Sequence, residues 1–189
     1  MRLNEPRIYP KEPDSWSDAE SKQMAPFVAD GADMNIFKTL LQHPNLMRRW
    51  MVFANHVLFK SSLPIREKEL IILRIGFLCQ AGYEWAQHVQ IALKGGLDSQ
   101  GIRSAKEGPD MVGISEVDKL LLQATDELHN DAFITDETWT SLANHFSQEQ
   151  LMDIVFTVGQ YNLVSMALNS FGVQLDAGIP GEGLSDVKL

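Results

Sequence analysis

One cysteine, Cys79, stands in the 189 residues, so no disulfide can close within the chain and a reducing cytoplasm is the expected setting. Positive charge is also short. Sixteen Lys and Arg face twenty-five Asp and Glu, which leaves a formal charge of −9 and a pI near 4.9. The densest basic spot, MRRW at 47–50, holds only two arginines, so a polyanion would be repelled and no nucleic-acid partner is expected. The opening stretch MRLNEPRIYPKEPDSW has no basic-then-apolar pattern of a secretory leader. The most apolar run, residues 151–171, has the length of a membrane span but carries Asp153, Gln160, Asn162 and Asn169. Charged and amide side chains at those depths are costly in lipid, so the run is read as a buried core helix with no membrane partner. Alternating strand patterns, hairpin signals and low-complexity tracts are missing too.

What is present is helical. Apolar residues make up 44% and charged residues 22%, the composition of one ordinary globular domain. Pro6, Pro10, Pro13 and Pro26 mark residues 1–30 as an extended arm with a short helix near SDAESKQMAPFVA, of the kind that wraps a neighbouring subunit. The domain proper is expected over 31–178 and a tail over 179–189. Ile36, Leu40, Leu41, Leu46, Trp50, Phe53, Val57 and Leu58 recur at spacings of three and four, with Pro44 near a helix start. Further helices are expected over LPIREKELIILRIGFLCQ, over AGYEWAQHVQIALK before a Gly95-Gly96 stop, and near 98–106, 115–129, 136–145 and 147–171. Ser115 and Ser147 are expected N-caps, with Gln150 completing a capping box. The fold class is all-α, with about six to eight helices.

The densest chemistry lies in CQAGYEWAQH, residues 79–88. Glu84 and His88 are four apart, about 40° from each other around a helix, so their side chains can meet. A carboxylate beside an imidazole favours imidazolium and suits general acid–base work. The same spacing also describes an exposed helix pair worth a few tenths of a kcal/mol. The first turn of a helix favours an anion at Glu84.

The run REKELIILRIGFLCQAGYEWAQHVQIALKGGLDSQGI, residues 66–102, resembles the carboxymuconolactone decarboxylase family, which includes the alkylhydroperoxidase D-like proteins. The resemblance extends over roughly residues 35–177 and implies an alkylhydroperoxidase D-like helical bundle. Redox-active members have Cys-x-x-Cys-x-x-x-His with a relay glutamate nineteen residues before the histidine. Counting back from His88, the thiol places hold Ala81 and Glu84, and the relay place holds Glu69. A dithiol cycle is therefore closed to this chain.

The resemblance then implies a non-redox enzyme without metal or cofactor. His88 is expected to donate a proton to a small lactone or carboxylic acid, with Glu69 and Glu84 setting its pKa, as in a decarboxylation. Tyr83 is expected to bond a substrate oxygen and Trp85 to wall the cavity. His56, Tyr161 and Cys79 are further expected substrate-contacting residues. An acidic substrate beside two glutamates needs a cation; Arg74 is one source, although it lies about 140° around the helix from Glu69.

Two other readings stay open: an alkylhydroperoxidase-like antioxidant using Cys79, and a small-ligand-binding protein that does no chemistry. Glu84, His88 and either Glu69 or His56 supply atoms for a metal, but the resemblance implies none. Apolar helices and the proline-rich arm point to a homo-oligomer, whether dimer, trimer or hexamer.

Overall fold

The computed structural model describes residues 2–29, 31 and 33–179. Most of the expected tail lies outside the described residues. Among those described there are nine α-helices: α1 (Asp18–Ala29), α2 (Asn35–Leu40), α3 (Pro44–Phe59), α4 (Ile65–Leu78), α5 (Gly82–Lys94), α6 (Ser99–Glu107), α7 (Glu116–Asp131), α8 (Asp136–Ala143) and α9 (Gln148–Phe171). A short 3-10 turn, Pro13–Ser15, precedes them. The count exceeds the expected range by one because the stretch around Pro44 is two helices. Proline supplies no N–H to continue α2, and it starts α3 at a position where that donor is not needed.

Helix α4 is the central element. Residues Lys68 to Gly76 are all buried, and the helix packs against α5, α6, α7 and α9. Its run of Leu and Ile has no polar stripe, as expected of a helix covered on all sides. Ser115 and Ser147 cap α7 and α9 through their side chains, and Gln150 closes the capping box. Helix α9 is long and apolar enough to cross a membrane by length and composition, yet half of that stretch is buried inside the bundle.

A sharp turn joins α4 to α5. Gln80 adopts φ +52, the Ala81 amide donates to the Gly76 carbonyl at 2.8 Å, and Asn169 Nδ2 of α9 holds the Cys79 carbonyl at 2.8 Å. The first turn of α5 is thereby laid against α4, where a Cβ on Gly76 would touch Glu84 Cγ at 3.5 Å. The amino-terminal arm lies on its own chain: the amides of Arg7 and Ile8 both donate to the Phe171 carbonyl, at 2.8 and 3.1 Å. These contacts complete the end of α9 and bind the arm to its own domain.

Candidate active site

Two hydrophobic clusters leave a gap between them. The larger forms around α4, α5, α7 and α9; a smaller one joins α1, α2 and α3. Between them lies a cavity of about 550 Å³, walled by apolar residues such as Phe27, Met47, Trp50, Met51 and Val164. This is the size of a small-molecule site. A second cavity of about 460 Å³ shares Ile36, Trp50 and Val164 with the first and is almost wholly apolar.

Glu69, Glu84 and His88 converge on the wall of the larger cavity. His88 Nδ1 is 2.7 Å from Glu69 Oε2, and its Nε2 is 3.0 Å from Glu84 Oε1. All three residues are buried. Burial alone would favour the neutral ring, but the two carboxylates outweigh it and raise the His88 pKa to about 10. The ring is thus an imidazolium donating from both nitrogens, and it keeps no lone pair for a metal ion. Tyr161 stacks edge-on against it, centroids 5.0 Å apart at 84°.

Helix geometry explains this convergence. Glu84 and His88 are one turn apart on α5, and Glu69 faces them from α4. Arg74, five residues after Glu69, points the other way and donates to Asp126 at 2.6 and 2.7 Å and to the carbonyls of Ala105 and Lys106 at 3.3 and 3.1 Å. It does not reach the cavity. The cations that do are Arg48 and Lys68, and the Lys68 ammonium is held by the Leu58 carbonyl near the end of α3. Burial lowers the Lys68 pKa, while Glu69 and Asp153 oppose the shift.

Four expectations need correction. Tyr83 is on the cavity wall, but its hydroxyl donates to Asp176 Oδ2 at 2.5 Å and accepts from the Ile36 amide at 3.4 Å. Burial and the Asp176 charge push its pKa well up, so the group is committed to holding the chain around residue 176. Trp85 turns into the main core against Phe77 because it sits about 100° around α5 from Glu84. His56 lies on the outer face of α3, 53% exposed and 3.6 Å from Asp153. Cys79 ends α4 away from the cavity, its thiol donating to Asn162 Oδ1 at 3.0 Å. Burial raises its pKa against the pull of Ser165 and Arg2, which keeps the thiol in its unreactive form.

Tyr161 does line the cavity, and so does Gln160, which sequence reasoning used only as a mark against membrane insertion. The signal for Gln160 was an amide beside a tyrosine inside an otherwise apolar helix.

Comparison with known proteins adds a likeness over part of the chain. Residues 44–107 match the model of the carboxymuconolactone decarboxylase family. Over that segment the sequence is similar to this family, and the chain as a whole shares the fold of alkylhydroperoxidase D-like structures. A peroxidase-related protein from Ralstonia eutropha JMP134 with an alkylhydroperoxidase AhpD core superposes with a TM-score of 0.80 at 17% identity, over 93% of this chain and 95% of that one. A peroxidase-related protein from Silicibacter sp. TM1040 gives 0.79 at 14% identity, over 95% and 98%. The debrominase Bmp8, solved in complex with 2,3,4-tribromopyrrole, gives 0.72 at 16% identity, over 92% and 94%. A comparison with curated proteins finds no match. At these identities the solved structures establish the shared fold, and the matched segment contains all of Glu69, Glu84 and His88.

Proposed function

We propose that this chain is a thiol-independent acid–base enzyme that moves a proton at a carbon of a small, largely apolar substrate, decarboxylation being one reaction of that class. The observation that carries the reading is the buried Glu69–His88–Glu84 chain on the wall of a 550 Å³ cavity. Both ring nitrogens of His88 are engaged, so the imidazole acts through Glu84, whose second oxygen has no hydrogen bond among the described residues. Glu84 is the group that meets the substrate. His88 passes it a proton or takes one back, and Glu69 stabilises the imidazolium throughout. Because Glu84 occupies the thiol place of the redox-active relatives, this arrangement substitutes an oxygen acid for a sulfur nucleophile at the same point of the bundle.

The test is exchange of carbon-bound hydrogen for deuterium in D2O, followed by NMR across a panel of small ketones, lactones and keto acids. The wild type is expected to exchange at the carbon next to the carbonyl, and Glu84→Gln to stop it. Exchange that survives in both Glu84→Gln and His88→Ala would remove the proposal.

The same reading takes the protein as a cytoplasmic homo-oligomer. It is supported by the packing of α9 within the bundle and by apolar side chains left on the surface of α3 and α9, among them Val52, Phe59, Phe156 and Met166. Light scattering at micromolar concentration tests it.

A further inference from the structure

Gln160 and Tyr161 are 5% and 4% exposed, and both line the cavity beside the carboxylates. Buried polar groups are nearly always hydrogen-bonded. Here neither the Gln160 amide nor the Tyr161 hydroxyl has a hydrogen-bond partner among the described residues, although Glu69 and Glu84 are close enough to raise the Tyr161 pKa along with burial. A phenol that lies near two carboxylates yet bonds neither has its O–H available elsewhere, and the neighbouring open space is the cavity. Of the other polar groups on this wall, Tyr83 and Gln87 are occupied by Asp176 and Lys68 by Leu58, while the Trp50 indole N–H is a further buried donor without a partner.

We propose that Gln160 and Tyr161 are a pair of donors for one oxygen of the substrate, which is an uncharged carbonyl compound such as a ketone, ester or lactone. The proposal rests on the acid–base reading above. The Glu69–His88–Glu84 cluster beside these donors carries one net negative charge, and the cavity's two cations are engaged by the Leu58 carbonyl and by Asn45, so a substrate carboxylate placed against the cluster would be repelled, whereas a neutral carbonyl is not. When Glu84 removes the proton from the neighbouring carbon, the C–H electron pair becomes the new C=C bond. The carbonyl π pair moves onto oxygen, where the two donors hold it as an enolate; return of the proton reverses each change. Donors fixed where charge develops are the strongest aid a protein gives such a step.

The experiment compares acetophenone with ethylbenzene, which has the same shape but no acceptor oxygen, by ligand-observed NMR on the full chain. In Tyr161→Phe and in Gln160→Met, acetophenone binding is expected to weaken about 5- to 10-fold, the range for one lost hydrogen bond, with ethylbenzene unchanged. The carbonyl stretch of bound acetophenone should lie below its value in an aprotic solvent for the wild type and move back up in each variant. Retained ethylbenzene binding shows that a variant is folded; should one variant fail to fold, the other decides. Acetophenone that fails to bind the wild type, or that binds wild type and folded variants alike with an unshifted stretch, overturns the proposal. Failure of the acid–base reading looks different: deuterium exchange is absent while the preference for the carbonyl probe persists.

Discussion

Of the three charged residues buried on helix α4, Lys68, Glu69 and Arg74, the last two lie five residues apart and the protein treats them in opposite ways. Arg74 meets the Asp126 carboxylate and two backbone carbonyls, so its donors are matched, and it lines neither of the two cavities described. Gly108, at φ +100, lets the backbone reach the guanidinium; a Cβ there would sit 2.8 Å from Nη2. Glu69 instead joins a cluster with one imidazolium and two carboxylates beside a cavity. A balanced pair is what stability alone favours, since uncompensated buried charge is expensive. On the proposed reading the unbalanced cluster keeps a charged oxygen for the substrate, the kind of perturbed buried group that marks a candidate functional site.

Substitutions in the two clusters should separate these roles. The largest effect is expected from Glu84→Gln, which keeps shape and removes the base: turnover in the deuterium-exchange assay should fall about a hundred- to ten-thousand-fold, with the unfolding midpoint nearly unmoved. Arg74→Ala should do the reverse. Stranding Asp126 at a partly buried position is expected to remove about 3–5 kcal/mol in urea denaturation while each folded molecule keeps its rate.

His88 links the two behaviours through pH. Its folded pKa of about 10 lies above the ordinary 6.5, so the stabilisation from its imidazolium is complete below about 6.5 and fades as pH climbs to about 10. A denaturation series between those limits should show this decline, and Glu69→Gln should shrink it. Gly108→Ala is expected to cost about 1–3 kcal/mol through its positive φ and the crowded guanidinium. Cys79→Ser, the mildest change, should leave exchange activity untouched, because a hydroxyl can donate to Asn162 as the thiol does. A lost activity there would revive the sulfur-based alternative.

Patterns that depend on neighbours along the chain were legible in the sequence. The Glu84–His88 pair follows from four-residue spacing, the caps of α7 and α9 from Ser115 and Ser147, and Arg74's turn away from Glu69 from 100° per residue. Glu69 was reached through the family pattern. The errors share a cause as well. Tyr83 is bound by Asp176, ninety-three positions on, and no local reading brings those two together. Trp85 and His56 had the right helices but the wrong faces, since one position on a helix separates cavity from core. Gln160 was overlooked because a buried amide becomes informative only once its lack of partners can be seen.

Trp50 is part of the wall common to both cavities. With Ile36 and Val164, its indole thus stands between two chambers of about 550 and 460 Å³. Trimming that ring would thin the partition, so the length of guest this bundle admits depends on side chains other than Glu69, Glu84 and His88. On the proposed reading, chain-length preference is thereby separable from the proton path.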